Sequence, residues 1–145
     1  MGGGPVRRGH VWYVGMSAAT DLLEARLLRE LPRLGNDERR GLAQLLDVLV
    51  REFAPERIYV FGSHARGDSG ADSDVDLLVL LPDLPAPAHE LDRRARELAG
   101  PRSFALDLVF MARARFEERL PALASLPATV AREGKLVYDS GRAAA

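Results

Sequence analysis

The stretch Val75 to Leu81 (VDLLVLL) constrains this chain more than any other. Aliphatic residues fill it almost end to end and Pro82 closes it, so it reads as the most deeply buried strand. Yet Asp76 lies inside it and Asp74 stands just before it. An ionised carboxylate is expensive to bury without a partner. A place where local pattern and local chemistry disagree is the first place to look for a site.

Around this strand the chain alternates helical and extended patterns. Ser17 or Thr20 can cap a helix over 17–34 that carries Leu22, Leu23, Leu27, Leu28 and Leu31 and stops at Pro32 and Gly35. Asn36 is the expected cap of a second helix, with Asp37 and Glu38 in the first turn, where the helix dipole favours negative charge. Its apolar stripe runs through Leu42, Leu45, Leu46, Leu49, Val50 and Phe53, and Pro55 stops it. Ile58 to Phe61 reads as a short strand, followed by a Gly-rich turn. Beyond Pro82, Pro85 and Pro87, Ala88 to Ala99 reads as a helix with Glu90/Arg94 and Asp92/Arg96 pairs at i,i+4. Gly100-Pro101 ends it. Phe104 to Phe110 alternates with Phe104, Leu106, Leu108 and Phe110 on one face and Ala105, Asp107 and Val109 on the other. Residues 113–133 read as helical with breaks at Pro121 and Pro127. Pro127 suits a first helical position, Gly134 a C-terminal cap, and Lys135 to Tyr138 a last short strand. This order predicts an α/β or α+β fold in which helices cover one small sheet.

Composition narrows the functional classes. A length of 145 residues suits one domain with a real core. The expected organisation is a loose leader over 1–15, with Met16 as a second candidate start, and a single domain over 16–145 to which the helix at 17–34 is an added element. Twenty basic and 21 acidic residues leave a net charge of -1, so no basic field advertises nucleic acid and no acidic block reads as a tail. Cysteine is absent, which excludes disulfides and thiolate metal sites and fits a reducing cytoplasm. The apolar run Leu77 to Leu81 is far short of the roughly 20 residues a membrane-spanning helix needs. Arg7-Arg8 precede VWYV, but Gly9, His10, Gly15 and Ser17 leave too little apolar length for a signal peptide. The scattered His10, His64 and His89 suggest no metal site.

In a strand, residues i and i+2 share a face, so Asp74 and Asp76 project together while Val75, Leu77 and Val79 point into the core. Two adjacent carboxylates repel. A divalent cation resolves that conflict, and Mg²⁺ takes oxygen ligands from one or two carboxylates plus substrate phosphates. If the strand carrying Asp107 lies beside this one, a third carboxylate reaches the same place and makes a platform for two ions. Gly62 and Ser63 stand ten residues earlier, after the strand ending at Phe61. Gly62 allows close backbone approach to a ligand, Ser63 offers a hydroxyl and an N–H, and a strand-to-helix turn there aims amides at a triphosphate. Arg66 divides evenly between a phosphate contact and a structural salt bridge.

The pattern Gly62-Ser63, ten residues, then Asp74-Val75-Asp76 and LLV resembles the DNA polymerase beta-like nucleotidyltransferase superfamily, and within it the minimal nucleotidyltransferase (MNT) group. LDLVF around Asp107 resembles that group's third carboxylate strand, and REGKLVYD resembles its ending; the resemblance covers about residues 37–139. It implies a mixed sheet flanked by helices, in the polymerase beta-like palm fold. It also implies ATP with Mg²⁺ as substrate and transfer of AMP to a hydroxyl. Asp74 and Asp76 would carry the metals, Asp107 would bind one metal and help activate the acceptor hydroxyl, and Gly62 and Ser63 would hold the triphosphate. Many minimal members are similar to antitoxins paired with an all-helical HEPN-domain toxin, which they silence by attaching AMP to a tyrosine. The alternatives are a catalytically idle module that neutralises a partner by binding alone, and an enzyme acting on a small antibiotic-type hydroxyl. Direct nucleic-acid binding is not expected.

Overall fold

The computed structural model describes residues 18–68 and 74–141. The expected leader over 1–15, the alternative start at Met16 and the candidate cap Ser17 lie outside them. Ten elements follow in chain order: α1 (Ala18–Glu30), α2 (Asn36–Phe53), β1 (Arg57–Phe61), α3 (Ser63–Arg66), β2 (Val75–Leu81), α4 (Ala88–Ala99), β3 (Leu106–Ala112), α5 (Arg113–Arg119), α6 (Leu126–Glu133) and β4 (Lys135–Asp139). The four strands form one sheet in the order β3-β2-β1-β4. β1 is antiparallel to β2 and to β4, whereas β2 and β3 run parallel and are joined through α4. The sheet is mixed.

Both faces of the sheet are covered. On one face Ile58, Val60, Val75, Leu77, Val79, Leu106, Leu108 and Phe110 join the leucines of α1, α2 and α4 in the main core. On the other, Leu78 and Leu80 pack with Phe116 of α5 and Val130 of α6, and Tyr59 stacks on Phe116 with ring centroids 6.1 Å apart. That double burial is why β2 reads as a continuous apolar run rather than an alternating one. Each fully buried leucine contributes about 1.5–3 kcal/mol by leaving water. The added helix packs on the rest of the domain: Leu27 of α1 is fully buried in the main core, and Arg26 Nε donates to Leu136 O of β4 at 3.2 Å.

Several boundaries differ from expectation for identifiable reasons. Gly35, not Asn36, occupies the N-cap of α2, with Asn36 as the first helical residue, its Oδ1 accepting from Arg39 NH2 at 2.6 Å. Thr20 is a buried residue within α1 rather than its cap. Phe104 precedes β3 yet stays buried, because the strand begins only where pairing with β2 begins, at Leu106 opposite Val75. The 113–133 segment is two helices, α5 and α6, and Pro127 is the second residue of α6 rather than its first. Ser125 caps α6, its hydroxyl accepting from Ala128 N at 3.2 Å. Asp92 and Arg96 pair as predicted at 3.0 Å, but Arg94 turns from Glu90 to Glu52 of α2 at 3.6 Å and over the Phe53 ring. The α2 face against which α4 packs offers Arg94 both a charge and a π surface, which a helical neighbour alone does not.

Candidate functional site

The site is built at one end of the sheet. β2 begins at Val75, and the parallel register with β3 sets Asp76 opposite Asp107. Neighbouring strands in register present their side chains to the same face. The third carboxylate therefore lies beside the second, on the face that carries Leu78 and Leu80 one and two pleats on. Asp74 precedes the strand and is exposed, Asp76 is half-buried and Asp107 is exposed.

β1 runs the other way, so its end meets the start of β2, with Phe61 opposite Asp76. Gly62 follows at φ 75°, where a side chain is strained, and a Cβ there would collide with Asp76 Oδ2 and lie 3.2 Å from Asp76 Cγ. The Gly-Ser spacing and the aspartates are thus one construction: the glycine makes room for the carboxylate. Ser63 opens the single-turn helix α3, closed by Gly67 in the left-handed region. Ala65 turns into the core, and Arg33 from the α1–α2 connection donates to Gly67 O at 2.8 Å.

Electrostatics mark Asp76 as the strained member. Its carboxyl is raised above the ordinary aspartate range, first by burial, then by repulsion from Asp107 and Asp74, with His64 and Arg66 pulling the other way. Arg66 itself pairs with other acids. Its Nε donates to Asp68 at 3.1 Å, and its NH1 lies 3.8 Å from Glu133 of α6. Of the two roles predicted for it, the structure forms the salt bridge. Glu133 was not singled out in the sequence, since no local spacing relates positions so far apart in the chain.

Hard carboxylate oxygens that repel one another suit Mg²⁺, which needs only one or two of them beside phosphate and water. Among the described residues, however, no three His, Cys, Asp or Glu side chains come together closely enough to enclose a metal ion. The platform is open, not a closed protein cage. A cavity of about 280 Å³ lies between the α1–α2 connection and α3, lined by Glu30, Arg33, His64, Arg66, Gly67 and Lys135 among others and by none of the three aspartates. No helix among the described residues is long and apolar enough to cross a membrane.

The nucleotidyltransferase domain family matches residues 42–131, more than half of the chain. No curated protein gives a significant match. Among solved structures, the chain is similar to a Sulfolobus solfataricus protein provisionally described as a nucleotidyltransferase. That match has 16% identity and a TM-score of 0.50, and covers 88% of this chain and 94% of the other, a likeness of fold. A toxin–antitoxin crystal structure with AMP-PNP matches at 24% identity over 69% of this chain and 74% of the other, with a TM-score of 0.42. A mutant of the MntA–HpeT toxin–antitoxin matches at 22% identity over the same shares, 69% and 74%, with a TM-score of 0.41.

Proposed function

The chain belongs to the nucleotidyltransferase domain family, and from that premise we propose that it moves AMP from ATP, with magnesium, onto a hydroxyl of a partner protein. The observation that carries this reading is the in-register Asp76–Asp107 pair with Gly62 folded against Asp76. Asp74, Asp76 and Asp107 would offer the carboxylate oxygens, of which Mg²⁺ takes one or two beside phosphate and water, and Gly62, Ser63 and Arg66 would face the phosphates. Magnesium held there would supply positive charge that offsets the phosphate oxygens against the carboxylates. The acceptor oxygen bonds to the α-phosphorus, the bond from that phosphorus to the bridging oxygen breaks, and pyrophosphate leaves. The hydroxyl proton passes to Asp107, the exposed member of the pair. Positioning supplies most of the catalysis in such a transfer, so an acceptor that docks as a folded protein brings its own alignment. The sequence resemblance to MNT antitoxins points to a HEPN-type, all-helical partner. Leu22 and Leu28 of α1 stand 74% and 52% exposed, apolar surface of the kind a partner covers.

The test is incubation with labelled ATP, Mg²⁺ and a co-encoded all-helical protein, followed by the mass of each chain. A gain of AMP on the partner, lost with Asp76→Asn, is the expected result. A second reading is neutralisation by binding alone. It wins if the partner binds tightly and never gains mass. AMP appearing only on an added aminoglycoside or nucleic acid would reject a protein acceptor.

A further inference from the structure

Arg66 is held by two acids of different origin. Asp68 lies two residues along the chain, across the Gly67 turn that closes α3. Glu133 comes from the last residue of α6. What brings Glu133 there is the junction between α6 and β4. Gly134 donates to Val130 O at 2.8 Å, and a Cβ at Gly134 would lie 2.6 Å from that oxygen and 3.0 Å from Val130 Cγ1. The chain can pass from helix to strand this tightly only without a side chain. β4 then pairs with β1, Lys135 opposite Val60, two residues before Gly62. Glu133 is thereby brought to 3.8 Å from Arg66.

A guanidinium is a planar fork with five N–H donors; the hydrogen bond from Nε to Asp68 at 3.1 Å and the ion pair of Nη1 with Glu133 at 3.8 Å leave donors over. Arg66 also lies close enough to Asp76 for each to act on the other's charge. Arg66 also lines the cavity of about 280 Å³ between the α1–α2 connection and α3, together with Arg33, His64, Lys135 and the acid Glu30, and that cavity has room for a phosphate group. We infer that Glu133 is a positioning residue, which holds the Arg66 guanidinium so that its remaining donors meet the phosphates of the nucleotide. This rests on the functional reading above. The Arg66 and Glu133 side chains are 46% and 39% exposed, and pairs so exposed add little to stability. A role in orienting Arg66 and a role in holding the fold therefore separate in experiment.

The test is titration calorimetry of the full-length protein with ATP and Mg²⁺, beside thermal melting, for wild type, Glu133→Gln, Glu133→Asp, Arg66→Ala and the double variant Arg66→Ala/Glu133→Gln. Glu133→Gln is expected to weaken ATP binding about fivefold with the melting temperature within about 2 °C of wild type. Glu133→Asp should recover part of the affinity. In the Arg66→Ala background the Glu133 change should cost nothing more. Unchanged affinity in Glu133→Gln overturns the inference, as does an equal loss in the Arg66→Ala background or a fall in melting temperature that tracks the lost binding. Failure of the wild type itself to bind ATP with Mg²⁺ overturns the functional reading and this inference with it. Normal wild-type binding with an indifferent Glu133 overturns this inference alone.

Discussion

At Gly62 two demands meet in one residue: a positive φ of 75° and a space already filled by the Asp76 carboxylate. Gly62→Ala meets both a torsional and a steric penalty, and is expected to lower stability by about 1–3 kcal/mol in a denaturant melt and to abolish Mg²⁺-dependent ATP binding. Asp76 itself works against the fold of the metal-free protein. Its folded pKa is raised above the ordinary 3.8, so relative to a neutral isostere its stability is fully present below 3.8 and is lost as pH rises through the folded pKa. Asp76→Asn in the absence of metal should therefore raise stability at about pH 7 and leave it unchanged at about pH 3. Chelator-treated melts at both values check this, and a large loss of stability at neutral pH would mean that the carboxylate is a structural partner. The Gly-Ser and Asp-x-Asp spacing was legible from the sequence. That the glycine serves the aspartate was not, because contact across β1 and β2 depends on antiparallel register, which places Phe61 opposite Asp76.

Among the elements, the α6–β4 junction illustrates how a spacing becomes a position. Gly134 has an ordinary φ of -70°, so nothing in its torsion requires glycine. The requirement is spatial, set by Val130 one turn back. Gly134→Ala is expected to cost about 1–3 kcal/mol, as overpacking does, and to weaken ATP binding through the displaced Glu133. Melting and calorimetry on the same sample read both effects. β2, α4 and the helical character around α5 and α6 were legible, since apolar period and proline stops are local signals. The four-residue α3 was anticipated only as a turn, because one turn of helix has no period to detect. Arg94 shows the limit on the other side: a favourable i,i+4 partner was available, and a neighbouring helix supplied a better one in Glu52 and Phe53.

For the whole molecule, the question is whether α1 belongs to the same cooperative unit as the sheet. It lies outside the residues matched by the family, yet Leu27 is as fully buried as Leu77 of β2 and sits in the same core. Leu27→Ala and Leu77→Ala are each expected to cost about 2–5 kcal/mol, with one cooperative transition in each case. A separate early transition in Leu27→Ala would mark α1 as an independent addition. Ligand linkage tests the site at the same scale: ATP with Mg²⁺ at a hundredfold excess over its dissociation constant stabilises by about 2.7 kcal/mol. That shift should vanish in Asp74→Asn/Asp76→Asn. The sequence by itself determined the helix and strand alternation, the buried strand with its misplaced acids, and the nucleotidyltransferase resemblance, because periodicity, turn chemistry and motif spacing are carried by residues close in the chain. Tertiary structure alone decided three things: Asp107 stands opposite Asp76, Leu27 of α1 is buried in the main core, and Arg66 pairs with Glu133 at 3.8 Å. Each depends on strand order, register or helix docking, which bring together side chains whose separation along the chain leaves no local trace.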